Sequence, residues 1–289
     1  MDTKLQTFLV LCRTMNYRVT AEQMHLTQPA VTKQIQALEN IYGTKLFTYD
    51  GKKLKKTDKC IILEKYAESL HYNYEQIKKA LKDSEDIYVR IGATKTIGDY
   101  VLDEAVIKYL SSPNHNLSLV VDNTERLLYM LDLAELDFAV VEGRFDKKKY
   151  DFRLLKRESF IGICPKGHRF GGRKVAIEEI FPENIIVREH GSGTRDILER
   201  ELSSLGCDLT SFNKSICISS FKLICELVLK GMGISFAYAS VIAGMSGLDT
   251  FTVENFNHDH EFNIVYLKNT NAGEYAELFF AGESSRKKN

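Results

Sequence analysis

The chain has no tryptophan, no cysteine pair at metal-ligand spacing, and no long apolar run. Each absence removes something. Nothing approaches the roughly 18 consecutive apolar residues of a membrane helix, so no membrane partner is expected. Asp2, Lys4 and Gln6 interrupt the apolar positions a signal peptide would need, which makes the cytoplasm the expected compartment. Cys12, Cys60, Cys164, Cys207, Cys217 and Cys225 form no CxxC or Cys/His ligand pattern, so neither a metal nor a cofactor is expected and buried reduced thiols are the simpler account. The missing tryptophan leaves no indole fluorescence to report binding. Net charge is also absent, with 39 basic and 39 acidic residues, but the balance is uneven. Residues 1–59 hold ten Lys/Arg against five Asp/Glu, leaving the remainder at −5. A basic head on an acidic body suits nucleic-acid binding by the head. At 289 residues, 44% hydrophobic and 27% charged, the chain has the composition of a soluble protein of two or three domains.

The stretch Asn16 to Asn40, NYRVTAEQMHLTQPAVTKQIQALEN, carries the clearest local pattern. A short helix over Val19 to Met24 has Ala21 as its small inward residue; His25-Leu26 breaks it. Thr27 then offers an N-cap and Pro29 stands in the first turn of a second helix, where its missing N–H costs nothing. Val31, Ile35 and Leu38 recur at i, i+4, i+7 and define an inward face. The opposite face shows Gln28, Ala30, Thr32, Lys33 and Gln36, side chains suited to base edges and phosphates in a major groove. The pattern predicts a helix-turn-helix, although an ordinary αα-hairpin would present the same spacing.

The run AEQMHLTQPAVTKQIQALENIYGTKLF resembles the N-terminal domain of the LysR-type transcriptional regulators. The matching positions are Thr27, Gln28, Pro29, Ala30, Val31, Thr32, Leu38, Glu39, Gly43, Leu46 and Phe47. The chain departs from the family pattern at Thr20-Ala21, where two alanines are usual, at Tyr49, where Arg is usual, and at Cys60, where Gly is usual. The resemblance implies a winged helix-turn-helix, a linker helix through which two subunits pair, and a periplasmic-binding-protein-like effector domain of two α/β subdomains. The expected partition is 1–58 for the DNA-binding domain, 59–86 for the linker and 87–289 for the effector domain. Within the last, one subdomain is placed at about 87–163 plus 264–289 and the other at about 164–263. Expected partners are double-stranded DNA, a small-molecule effector, RNA polymerase and further copies of the chain, as a dimer or tetramer. Peroxide-sensing members use two nearby cysteines; Cys207 and Cys217 lie away from the position theirs begin at, the segment matching Gly193 to Arg195.

A stripe of Leu5, Phe8, Leu9 and Cys12 predicts a helix over 3–15 that covers the helix-turn-helix. After Phe47, the turn Asp50-Gly51 flanked by Lys52, Lys53, Lys55 and Lys56 predicts a hairpin wing along the phosphate backbone. Gln28 and Thr32 are expected to read bases, with Arg18, Lys33, Lys52, Lys53 and Lys55 on phosphates and Thr27, Pro29, Ala30 and Gln36 along the same face. From Asp58 to Lys82 the seam Leu63, Ala67, Leu70, Tyr74, Ile77 and Leu81 alternates spacings of four and three, as coiled coils do. A helix lying on its own domain is the competing account of so short a seam.

Beyond Asp86 candidate strands alternate with helices, which predicts an α/β body with mostly parallel sheets and ligand sites at strand C-terminal ends. The expected strands are Ile87–Ile91, Leu117–Val121, Phe138–Val141, Phe160–Cys164, Ile185–Val187, Ile234–Ala237 and Phe262–Leu267, and the expected helices Tyr100–Leu110, Thr124–Leu133, Thr194–Leu205 and Phe221–Lys230. The resemblance places crossings between subdomains near Ile163-Cys164 and Asn263-Ile264. Two strand–turn–helix segments carry candidate chemistry: Gly92 to Gly98, with Thr94, Lys95 and Thr96, and Arg188 to Arg195, with Glu189, Gly191, Ser192 and Thr194. Backbone amides and hydroxyls at helix N-termini suit an anion, and Arg195 could clamp a carboxylate or phosphate. Glu142, at the end of another strand, is expected to line the same cleft. The same threonines and serine would serve as plain helix caps, and Arg195 could pair with Glu199 four residues on. The function these features predict is a DNA-binding regulator controlled by a small, anionic metabolite. The alternatives are a small-molecule-binding protein without specific DNA function, and an enzyme using the 188–195 loop. No catalytic residue is expected, because HGSGT around Ser192 is not the G-x-S-x-G elbow and no partner acid or base is identifiable.

Overall fold

Side-chain caps set the N-terminal helices. In the computed structural model, which describes residues 1–81, 86–243 and 245–281, Asp2 caps α1 (Thr3–Thr14) by accepting from the Lys4 amide. Asn16 accepts from the Arg18 and Val19 amides, so α2 (Tyr17–Gln23) starts two residues before its expected position. Thr27 accepts from the Ala30 amide and opens α3 (Gln28–Tyr42), which closes on Gly43 in the left-handed region, φ 62°. The buried Glu39 carboxylate accepts from the Leu46 amide at 2.9 Å and from Lys45 at 2.6 Å, fixing the exit from α3. The wing follows as β1 (Phe47–Asp50) and β2 (Lys53–Lys56), antiparallel, with Asp50 opposite Lys53 across a two-residue turn. Phe8, Leu11, Ala21, Val31, Ile35, Leu38, Leu46 and Phe47 form the core of this head.

Thr57 caps the long α4 (Asp58–Ala80). Its expected seam divides. Leu63 and the fully buried Ala67 pack into the core of the head, so they are unavailable to a partner. Leu70, Tyr74, Ile77 and Leu81 stay exposed, and the stripe is extended toward the N-terminus by Ile62 and Tyr66 instead, 52% and 54% exposed. Packing on the head thus rotates the free stripe by about one helical position. The expected end of the helix at Lys82, the linker residues 83–85 and the C-terminal 282–289 lie outside the described residues.

The body is a second compact unit. It runs β3 (Ile87–Thr94), α5 (Lys95–Tyr100), α6 (Asp103–Leu110), β4 (His115–Asp122), α7 (Thr124–Asp132), β5 (Phe138–Glu142) and the 16-residue β6 (Tyr150–Pro165). Then come β7 (Lys174–Val175), α8 (Ile177–Ile180), β8 (Asn184–Val187), α9 (Gly193–Ser204), β9 (Lys214–Cys217) and α10 (Phe221–Leu229). The chain continues through β10 (Ser235–Tyr238), α11 (Ala239–Ile242), β11 (Leu248–Val253), β12 (Asp259–Leu267) and α12 (Ala272–Phe280). The expected helix over Tyr100–Leu110 is thus broken at Val101-Leu102.

The sheets are mixed, which corrects the expectation of mostly parallel pairing. β3 runs parallel to β4 and β5, and β8 to β9, but β12 is antiparallel to β5, and β6 is antiparallel to β10 and β11. The reason is topological: β6 and β12 are through-strands joining two lobes, and they run against the βα units of each. Phe160–Ile163 already pairs with β10, and Phe262–Val265 with β5. The handovers therefore lie a few residues upstream of Ile163-Cys164 and Asn263-Ile264. Phe138, Phe160, Phe236, Phe251 and Phe262 anchor the apolar interior on which the loops are mounted.

Candidate functional site

On the head, Gln28, Lys33 and Gln36 are exposed along α3, and Lys52 and Lys53 along the wing. Thr27 and Pro29 are exposed at its start, while Ala30 and Thr32 are half-buried. The Thr32 hydroxyl donates to the Gln28 carbonyl at 3.0 Å, so it meets a ligand only as an acceptor or by giving up that bond. Arg18 pairs with Glu22 at 3.1 Å and Lys55 with Asp50. Lys33, Lys52 and Lys53 have no ion-pair partner among the described residues. The candidate phosphate contacts therefore split into free cations and cations already neutralised.

In the body the two predicted loops do meet, but through a carboxylate. Glu142, 1% exposed at the end of β5, accepts from the Thr94 hydroxyl at 2.6 Å and from the Thr194 hydroxyl at 3.1 Å. Its own carbonyl accepts from Thr124 at 3.1 Å. Thr94 closes β3 in one lobe and Thr194 opens α9 in the other, so Glu142 clasps the lobes together. The backbones touch here: a Cβ on Gly193 would stand 2.5 Å from the Glu142 carbonyl oxygen, which only glycine permits. Burial pushes the Glu142 carboxyl above the ordinary range, against the pull of the Thr94 and Thr194 hydrogen bonds. Thr96 is buried beside the clasp at 5% exposure.

A second bridge joins the lobes. Lys95 donates to Glu189 at 2.9 Å, and the buried Arg188 grips the same carboxylate at 2.9 and 3.2 Å. Burial raises the Glu189 pKa, but the Arg188 and Lys95 hydrogen bonds outweigh it and hold the carboxyl below the usual value. Lys95 and Glu189 are thus committed to each other. Arg195 is engaged as well, donating to Glu199 at 2.7 Å and to the Arg188 carbonyl at 3.2 Å. The helix-surface pair, not the ligand clamp, is the geometry adopted.

The cavity between the lobes, about 310 Å³, is lined by Thr124, Glu125, Leu128, Arg144, Gly191, Ser192, Gly193 and Asp196. Gly191 and Ser192 are thus in place, Thr94 and Thr194 stand behind the wall on Glu142, and the cation facing the cavity is Arg144. Sequence reasoning passed over Arg144, although it follows the strand end Glu142-Gly143, where open α/β sheets place ligands. The buried Ser192 precedes α9 without accepting from its amides, and its hydroxyl has no hydrogen-bond partner among the described residues. It has no hydrogen-bonded acid or base among the described residues, and the neighbouring His190 is exposed. All six cysteines are free thiols; Cys217 is exposed and its sulfur lies 3.7 Å from Arg195 Nη1. Among the described residues no helix is long and apolar enough to cross a membrane.

The family model of the bacterial regulatory helix-turn-helix protein, lysR family, matches residues 3–60, and that of the LysR substrate binding domain matches residues 84–281. The chain belongs to the LysR family. It is a DNA-binding transcriptional regulator with a small-molecule effector domain, and its named relatives are regulators, not enzymes. Over 244 residues it is 30% identical to the HTH-type transcriptional regulator CysL of Bacillus subtilis, covering 82% of this chain and 80% of that protein. Solved structures of LysR-type regulators share the fold, among them one from Synechocystis and one from Corynebacterium glutamicum at TM-score 0.60 each. The regulatory domain of Synechocystis CcmR, in complex with 2-PG, is 18% identical and covers 67% of this chain and 96% of its own. Corynebacterium glutamicum OxyR, a cysteine-to-serine mutant with H2O2 bound, is 20% identical and covers 96% of this chain and 89% of its own.

Proposed function

We propose that this regulator binds DNA through a pair of winged heads and that a small anionic metabolite, a carboxylate or phosphate, entering the cavity at the start of α9 controls that binding. The observation that carries the effector reading is Arg144, a cavity-lining cation with no ion-pair partner among the described residues. Beside it stand the uncommitted Ser192 hydroxyl and the first amides of α9, whose helix dipole favours negative charge. A ligand touching Arg144 and Ser192 spans both lobes. It therefore favours one lobe arrangement, a preference that can couple to DNA binding by typically about 1–3 kcal/mol. Lys95, Thr96, Glu189 and Arg195 support this cavity instead of lining it.

Gln28 reads bases; Lys33, Lys52 and Lys53 hold phosphates on both specific and random DNA. Self-association uses the exposed stripe of α4, giving a dimer that pairing of the effector domains can extend to a tetramer. The regulator works in the cytoplasm, where its DNA is, and acts on transcription through RNA polymerase. The test is a dye-based thermal-shift screen of carboxylates and phosphates on the intact protein, followed by DNA mobility shifts with each hit. Ser192→Ala and Arg144→Gln should abolish the response to a hit while leaving effector-free DNA affinity unchanged. A hit whose effect persists in both variants would place the effector elsewhere.

A further inference from the structure

A second cavity, of about 520 Å³, opens on the side of α9 that carries Ile197 and Arg200. Arg144 lines both cavities, but the other walls differ: here they are the connection after Gly143, the stretch around Asn257–Glu261, and Asn263 of β12. Asn263 is the anomaly. Its neighbours Phe262 and Ile264 are fully buried in the apolar core, as the strand pattern requires. Asn263 itself is 5% exposed, faces the cavity, and its Oδ1 has no hydrogen-bond partner among the described residues. A buried acceptor left without a donor forfeits the hydrogen bond it made to water in the unfolded chain. A leucine of similar shape would avoid that cost, so the amide awaits a donor that no described residue supplies.

His260 adds a second acceptor. Its Nε2 lies 2.8 Å from the Asn257 carbonyl oxygen, which can only accept. The ring, kept neutral by burial, therefore carries its hydrogen on Nε2 and leaves Nδ1 free to accept. The lining cations point to charge of the opposite sign. Arg200 spends its Nε on the Asp196 carbonyl at 3.1 Å, and neither Arg200 nor Arg144 is ion-paired among the described residues. The acids in the wall are already engaged: Asp259 accepts from Ser159 at 3.2 Å and Glu261 pairs with Arg157 at 3.3 Å.

We propose that this cavity is a second ligand site, for a small carboxylate that also carries a hydroxyl or amino donor. The carboxylate lies on Arg144 and Arg200, and the donor satisfies Asn263 Oδ1 with help from His260 Nδ1. Arg200 belongs to α9 and Asn263 to the β12 segment paired with β5, so an occupant would tie one lobe to the other. The two cavities share Arg144, but Arg200, His260 and Asn263 line only this one and Ser192 only the other, so these residues tell the two sites apart.

The experiment is calorimetric titration of the intact protein with matched acids, L-malate against succinate and L-serine against propionate. At least one donor-bearing acid should bind about tenfold more tightly than its partner, a factor of ten being about 1.4 kcal/mol, within the worth of one satisfied buried acceptor. Asn263→Leu should bring that ratio to about one without lowering the melting temperature, since it removes an unsatisfied group; a structural asparagine would instead lose stability. Arg200→Gln, at the half-buried rim, should weaken every acid and decides the matter alone should Asn263→Leu fail to fold. Ser192→Ala should change nothing. The proposal is overturned if no acid binds, if the ratio survives in Asn263→Leu, or if Ser192→Ala abolishes binding while Arg200→Gln leaves it intact.

Discussion

Replacing Glu142 by glutamine tests the clasp between the lobes. The carboxylate is 1% exposed, it accepts from the hydroxyls of Thr94 and Thr194 with a weaker contribution from Thr96, and no cation touches it among the described residues. Burial raises its pKa in the folded protein. The sign follows from linkage. Between the unfolded and folded values the native state keeps a proton that the unfolded chain has lost. The stabilisation is full below the unfolded value and disappears as pH rises through the folded one. Above that, the native state holds a buried charge whose uncompensated cost is about 1–3 kcal/mol or more. Glutamine keeps the shape and one carbonyl oxygen, and the threonine hydroxyls can rotate to accept from its NH2. Glu142→Gln should therefore match the wild type near pH 4.5 and exceed it by about 1–3 kcal/mol at pH 8. In a body of this size that is about 2–4 °C per kcal/mol in melting temperature by scanning calorimetry. A variant that is less stable at pH 8, by as much as at pH 5, would refute the reasoning. It would mean that the charged form is favoured in place, with the field of Arg188 outweighing burial.

Further expectations concern the head and its helix. Gln28→Ala should cost about 1–3 kcal/mol on the specific site and little on random DNA, measured by fluorescence anisotropy with labelled duplexes; equal losses on both would remove it from base reading. Lys52→Ala should weaken both and lower the salt slope by about one, whereas Lys55→Ala, whose cation is paired with Asp50, should change the slope less. Leu70→Lys, at a position 54% exposed, should split the assembly in sedimentation while the head stays folded; the fully buried Ala67→Lys should unfold the head instead. Thr27→Ala should destabilise the head by about 1 kcal/mol through the lost cap of α3, read as a shift of its unfolding midpoint.

Much of the head was legible because its signals are local. Thr27 before Pro29, Gly43 after the last turn and the two-residue turn at Gly51 each act within a few residues, and the helices and wing formed as their spacing implied. The α2 start was displaced because Asn16 provides a cap that the apolar pattern does not register. In the body the strand centres were legible from β-branched runs, but the short β7, β9 and β11 were not, since their partners rather than their composition make them strands.

What the sequence determined by itself was the kind of protein: a basic winged head, one long helix, and an α/β body with hydroxyl-bearing loops at strand ends. Caps, turns and periodicity encode these within a few residues of chain. The tertiary structure alone decided the ownership of the charges. Arg195 could turn to a ligand or to Glu199, and Lys95 could stay free or cross to Glu189; a sequence gives both options equal standing. Which occurs depends on how near the two lobes bring residues 94 positions apart, and on whether a carboxylate such as Glu142 already fills the space. The same holds for α4, where periodicity showed an apolar stripe, but only packing against the head could assign Leu63 and Ala67 to the core and leave Ile62, Tyr66 and Leu70 for a partner.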